Sequence, residues 1–324
     1  MGILLAIEGA VSQGVLWGLM TLGVFLTFRI LNVADMTVDG SFACGGAVTA
    51  VLISCGMDPL LSLIFVFIAG ALCGLVTGFM TTKLKINVLL AGILSQIALY
   101  SINIRIMGKS NVPLLTAIKP ETVSNTGFFH NLKTFYSGKL VRNIEINTIT
   151  SVLEEKFKIS PTVSSLIVGF IVCGAIIALL YWFFGTEIGS AIRATGSNEN
   201  MARAVGINTD NTKMLGLMIS NGMVALSGAL VAQSQGYADV QMGVGAIVIG
   251  LASIIIGEVI FSKKFNFMFK LIAAVLGSII YRIIIAVVLQ LGLKSTDLKL
   301  LTALIVVMAL SFPVLKQNFN LKKT

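Results

Sequence analysis

The sequence predicts an all-α, polytopic membrane protein of about nine (eight to ten) transmembrane helices, and three observations carry that expectation. Apolar residues make up 56% of the 324 residues and charged ones only 11%. With a mean hydropathy of +0.96, the chain has more apolar surface than a soluble core of its size can hide. Uncharged runs such as LLSLIFVFIAGALCGLVTGFM (60–80) and SSLIVGFIVCGAIIALLYWFF (164–184) have the length of about 20 residues that carries a helix across roughly 30 Å of hydrocarbon. Neither run shows the period-two alternation of a barrel strand, so helices are the expected form.

In chain order, the runs place spans near 8–28, 38–56, 60–82, 86–107, 163–184, 213–234, 243–261, 267–290 and 299–315. Residues 1–15 hold Glu8 and no Lys or Arg, so the basic start of a cleavable signal is missing and the first span is expected to stay. Positive charge then sets the orientation. Arg29, Lys83, Lys85, Arg193, Arg203, Lys213, Lys263, Lys264, Lys316, Lys322 and Lys323 all fall on one side if the spans alternate. That side is expected to be the cytoplasm, with the N-terminus outside and the C-terminus inside. The segment 108–162 becomes extracytoplasmic and the loop 185–212 cytoplasmic. The net charge of +9 suits anionic lipid at the membrane surface. No basic cluster is interleaved with stacking aromatics, so nucleic acid is not an expected partner.

Catalytic and metal signatures are missing from the sequence. Cys44, Cys55, Cys73 and Cys173 lie at apolar sites without CxxC spacing and read as small buried hydrophobes. The sole histidine, His130, has no second ligand nearby. Gly108-Lys109-Ser110 lacks the upstream glycine of a phosphate loop. No Rossmann fingerprint, nucleophile elbow or carboxylate pair is present, so any energy source must be a partner or an ion gradient.

The polar run GTEIGSAIRATGSNENMARAVGIN (185–208) interrupts the apolar pattern. It contains the start and stop signals of one short helix: Ser197 or Asn198 as N-cap, Glu199 in the first turn and Gly206 as the residue after the end. Such a helix is too short to be stable alone and needs something to pack on it. Its exposed face is expected to present Met201, Ala202 and Val205 between Glu199 and Arg203, with the next helix restarting at Asp210 or Thr212.

The run GSAIRATGSNENMARAVGIN, followed by MISNGMVALSGALVAQ, resembles the permease subunits of ATP-binding-cassette (ABC) importers in the branched-chain amino acid and ribose group. Asn200-Met201-Ala202 with Gly206 resembles their EAA-x-x-x-G coupling motif, of which Ala202 and the glycine are kept literally. ILNVADMTVDGSFACGGAV (30–48) extends the likeness. Permeases assigned to aromatic amino acid import in Gram-positive bacteria are the nearest in pattern. The resemblance implies a type II importer permease forming one domain over 1–324. It implies two permease copies, two cytoplasmic ATPases and an extracellular substrate-binding lipoprotein. ATP and Mg would be bound by the ATPase, with no cofactor in this chain. Arg193, Asn198, Glu199, Met201, Ala202, Arg203 and Gly206 become the expected ATPase-coupling residues.

Polar residues inside spans are the other candidates, because charge at membrane depth must face a cavity or a partner. Asp39 and Gln96 are candidate pathway residues, with a structural role as the competing reading. Asp35 is expected to cap the helix start at TVDGSF, Glu258 to reach the interface, and Arg282 to pair with a carboxylate inside the bundle. Gly70, Gly74 and Gly78 are expected to let another helix approach closely. ADMTVDGSFACGGAV (34–48) and ADVQMGVGAIVIGLA (238–252) form a faint inverted repeat. An ion-coupled secondary transporter, or a non-transporting scaffold or receptor subunit, remains an alternative to the importer permease.

Overall fold

The computed structural model describes residues 2–114, 148–151, 153, 158, 160–261, 266–292, 300, 302–307 and 311. His130, Lys263, Lys264, the C-terminal lysines, most of 108–162 and much of the run at 299–315 lie outside the described residues. The elements are α1 (Gly2–Phe25), continued by a π-helical turn (Leu26–Ile30), α2 (Thr37–Ser54), α3 (Pro59–Thr82), α4 (Val88–Met107), β1 (Asn111–Pro113) and α5 (Pro161–Phe183). They continue with α6 (Glu187–Ser197), α7 (Glu199–Ala204), α8 (Thr209–Gln235), β2 (Tyr237–Asp239), α9 (Ala246–Ile260) and α10 (Phe267–Gln290). Seven of these helices, α1 with its π-turn, α2, α3, α4, α5, α8 and α10, are long and apolar enough to cross a membrane.

Local chemistry fixes several boundaries. Asp58 caps α3 by accepting from the N–H of Leu60 at 2.8 Å, with Pro59 at the first helical position. Asn87 caps α4 through the N–H of Leu89. Gly108 and Gly236, at φ +69° and +75°, end α4 and α8 in the left-handed conformation that only glycine adopts freely.

The helices sort into a buried centre and an outer ring. About three quarters of the apolar window is buried in α1, α2 and α8 (83%, 72% and 72%), against 28–33% in α3, α4 and α5. The outer faces of those three, with Leu60, Ile68, Leu94, Ile97 and Trp182 among the exposed side chains, form an apolar surface suited to lipid. α1 and α8 run antiparallel: Ser227 Oγ donates to the Leu16 carbonyl and Ser220 Oγ to that of Gly23, each at 2.7 Å. Gly70, Gly74 and Gly78 of α3 lie against Asn221, Leu217 and Met214 of α8, so the close-approach reading of those glycines holds. Gly14 of α1 lies against Ile279 of α10, where Ser278 Oγ donates to the Gly14 carbonyl at 2.6 Å.

Exchanging α1 for α8 and α3 for α10 maps one tight pair, α3 with α8, onto the other, α10 with α1. The segments that follow α1 and α8 are related too. Asp35 Oδ1 accepts from the N–H of Thr37 and Asp239 Oδ1 from that of Gln241, each two residues on. The two Ala-Asp segments of the sequence therefore share a local turn as well as a place in the repeat.

Both of those segments deliver a helix start into the membrane interior. α8 is 27 residues long, about 40 Å, and Asn221 sits about 18 Å along it. Asn221 bonds Asp35 and Ser41 at 2.7 Å each, so α2 begins near mid-depth and runs toward the end that carries β1 and β2, packing Ala47, Ala50 and Ile53 near Ala232 and Ala238. α9 starts beside Asp39 and runs the other way, with Gly250 against Val24 and Glu258 at Arg29. At 15 residues it is about 22 Å long. The run at 243–261 is thus a helix that starts inside the membrane, shorter than a full crossing.

Candidate functional site

Two polar regions stand out in the apolar bundle, one at the end that the charge pattern of the sequence assigns to the cytoplasm, here called the inner end, and one at mid-depth. At the inner end, α6 and α7 share Asn198: its N–H closes α6 on the Ala194 carbonyl, and its Oδ1 caps α7 through the N–H of Met201 at 3.0 Å. The sequence reading gave one helix here. The structure adds α6, opened by Thr186 Oγ1 on the N–H of Gly189 and buried along the face that carries Gly189, Ile192 and Thr195. Gly206 stands at φ +91° after α7, and α8 restarts at Thr209, capped by Asn208 on the N–H of Asn211.

An ion-pair network holds α7 in place. Glu199 bonds Lys213 at 2.6 Å and Arg203 at 2.9 Å, Arg203 reaches Asp210 at 3.2 Å, and Lys85 of the α3–α4 turn lies 3.5 Å from Asp210. The Lys213 ammonium, ahead of the other causes, holds the Glu199 carboxyl below its ordinary value. A cleft of about 220 Å³ opens between these groups and Val33. Lys85, Asp210 and Lys213 are partners that sequence reasoning missed. The signal available was charge placement: Glu199 precedes Arg203 by four residues, and the α8 start is rich in charge.

The surface of α7 differs from expectation at one residue. Met201 and Val205 are 57% and 72% exposed, but Ala202 is fully buried. A six-residue helix lying on its own chain turns one face inward, and Ala202, the smallest side chain available there, lets the backbone sit close. Arg193 lies apart from α7. Its guanidinium bonds the Phe184 carbonyl and sits over the rings of Phe184 and Phe267 at 5.7 and 5.1 Å, fastening α6 to the inner ends of α5 and α10.

At mid-depth, Asp39 joins the two facing helix starts. Its carboxylate accepts from the N–H groups of Gly245 and Ile247 at 2.9 Å each, so a residue in the first turn of α2 caps α9. Negative charge there also meets the positive end of the helix dipole. Gln96 Nε2 of α4 is 3.4 Å from the same carboxylate. The turn 240–245 leading into α9 carries an exposed Gln241 and a Val244 that is 61% exposed. Asp35 does cap the start of α2, as expected, and also binds Asn221. A second chain of hydroxyls, Thr37 to Thr77 at 2.8 Å and Thr77 to Ser95 at 2.7 Å, joins α2, α3 and α4. Asn221 was legible as the one asparagine inside the apolar run 213–234.

Of two other membrane charges, Glu258 reaches the helix end as expected and Arg282 falls differently from expectation. Glu258 pairs with Arg29 at the inner end of α1, since both lie where two parallel helices finish side by side. Arg282 meets no carboxylate among the described residues. It lies 4.0 Å above the ring of Trp17, because the residues α10 finds on the facing stretch of α1 are apolar or neutral. A desolvated cation over an indole gains about 2 kcal/mol, comparable with the roughly 2.5–3.5 kcal/mol that a charge costs at helix centre.

A polytopic helical bundle with a capped polar hairpin at one end and paired helix starts at mid-depth has the architecture of an integral-membrane protein. Residues 6–311 match the family described as the permease component of branched-chain amino acid transport systems, and the chain belongs to that family. A tyrosine transport system permease protein of Clostridioides difficile is 39% identical over 98% of this chain and 94% of its own. An uncharacterized protein of Rickettsia prowazekii is 32% identical over 93% of this chain and 95% of its own. A probable branched-chain amino acid transport permease protein, LivH, of Methanocaldococcus jannaschii is 26% identical over 71% of this chain and 67% of its own. No solved structure matches the chain significantly.

Proposed function

We propose that the chain is the membrane-spanning subunit of an ABC importer that takes up an amino acid, with an aromatic one favoured. The observation that carries this reading is α7: a capped helix at the inner end, braced by Glu199 and Lys213, with Met201 and Val205 held out as apolar knobs. Such a face suits a groove on a separate cytoplasmic ATPase, which would bind ATP and Mg. The tyrosine permease at 39% identity supports the aromatic substrate, delivered by an extracellular binding lipoprotein.

The pathway in this proposal passes Asp39, Gln96 and the turn 240–245. Non-helical backbone at membrane depth is tolerated only where protein covers it or water lines it. A second permease copy facing this turn would do both, enclosing a route between two subunits. Copurification of a P-loop ATPase with the detergent-solubilised chain, and ATP-dependent amino acid uptake in vesicles holding both, tests the reading. Uptake driven by an ion gradient without ATP would make the chain a secondary transporter instead.

A further inference from the structure

Unlike Asp35, Asp39 and Glu258, Arg282 is a membrane charge that the packing of the described bundle leaves unanswered. Asp35 and Asp39 are each bonded by N–H donors, and Glu258 has Arg29. Among the described residues Arg282 has the face of Trp17, 4.0 Å from its guanidinium carbon, and its Nε is buried with no hydrogen-bond partner. The Nε1 of Trp17 is buried and unpartnered too. Arg282 keeps some exposure as a residue, and no hydrogen bond to its guanidinium is found among the described residues. A guanidinium fixed on an indole, with donors free, is arranged to receive a planar anion through two parallel hydrogen bonds.

We propose that Arg282 is a binding residue for the α-carboxylate of the transported amino acid. This rests on the amino acid reading above and adds to it a named contact and the group recognised. Depth selects the source of the anion. Arg282 lies eight residues before the α10 end at Gln290, about 12 Å in along the helix, below the level of lipid headgroups. The site also connects to the α2–α9 junction. Trp17 stacks on Phe42 at 4.8 Å, and Phe42 lies one helical turn beyond Asp39 on α2. An anion that draws Arg282 away from the indole therefore loosens an aromatic stack whose far member sits on the helix that caps α9.

The chain holds two tryptophans, and Trp182 is 71% exposed on the outer face of α5, so Trp182→Phe leaves Trp17 as the only indole reporter. The experiment titrates this protein, in a maltoside detergent free of phosphate, with L-phenylalanine, then phenethylamine, then a short-chain phosphatidylglycerol, reading Trp17 emission. The expected result is a saturable change with L-phenylalanine and none with phenethylamine. Arg282→Met should lose the response, and Arg282→Lys should keep it with half-saturation raised about tenfold, because an ammonium cannot reproduce the bidentate fork. No response in folded protein, an equal response to phenethylamine, an unchanged one in Arg282→Met, or a response to the lipid alone would each overturn the assignment. Should Arg282→Met fail to fold, the phenethylamine arm and the Lys variant decide. The titration needs neither ATP nor an ATPase, so its failure is distinguishable from failure of the importer reading.

Discussion

Glu199 and Lys213 are 14 positions apart in the chain and 2.6 Å apart in space, an ion pair that ties the first turn of α7 to the base of α8. α7 has six residues, too few to hold a helix unaided, so this tie and its neighbours decide whether the helix persists between docking events. Glu199→Gln and Lys213→Met should each raise hydrogen exchange at the α7 amides. The expected factor is roughly twofold, the size of a partly exposed pair. The carboxyl is held below its ordinary value of 4.5, so the tie is present at neutral pH and lost only as pH falls below that value. Exchange rates that follow the intrinsic pH trend from pH 7 to 5, with no added step, would agree with this sign.

On the docking face, Met201→Asp and Val205→Asp should abolish ATPase copurification while leaving the membrane level unchanged, because both side chains are exposed. Ala202→Trp should instead disturb the chain's own packing and lower the level. Gly206→Val meets no neighbour within 4 Å of the added Cβ, yet φ +91° costs a valine about 1–2 kcal/mol. Its effect should be confined to α7, visible as faster exchange there.

Asp39 gives a sharp contrast with a merely misplaced charge. Since its carboxylate is satisfied by two backbone N–H groups, neutralisation should not raise the membrane level. Asp39→Ala should lower thermal stability by about 1–3 kcal/mol through the uncapped α9 start, with Asp39→Asn milder. Gln96→Leu, which removes one 3.4 Å contact, should leave stability nearly unchanged. Comparison of uptake per molecule in Gln96→Leu then reads the pathway role without the structural one.

The close crossings provide a packing test. A Cβ at Gly45 would collide with the Ala225 carbonyl of α8, whereas one at Gly174 meets nothing within 4 Å. Gly45→Ala should reduce folded protein sharply, since a backbone carbonyl cannot yield as a side chain does, at a cost of about 1–3 kcal/mol or more. Gly174→Ala should be silent in the same melting assay.

The long helices were legible because lipid imposes one requirement on each of them, a run of apolar residues of fixed length. Boundaries such as Pro59–Thr82 and Phe267–Gln290 fall within a residue or so of the expected spans. The cap of α7 was legible for a similar reason, since Asn198 bonds within its own turn. What escaped depended on residues far apart in the chain. Nothing local to Asp39 points to Gly245, nothing around Ala202 marks its buried side, and Arg282 gives no hint that its companion is Trp17 rather than a carboxylate. α9 was misjudged in extent because its outer end is set by a side chain on another helix.

The Asp39 cap also constrains the order in which the protein can be built. Asp35 and Asp39 leave the ribosome 186 and 206 residues before Asn221 and Gly245, the groups that will bond them. α2 has the lowest hydropathy of the seven long helices, 1.3, and in the nascent chain it carries the Asp39 carboxylate without its later donors, with Asp35 just ahead of it held only by the N–H of Thr37. It is therefore expected to wait at the insertion machinery or the membrane surface until α8 and α9 have been synthesised, so that integration of the first half becomes a late event completed by the second.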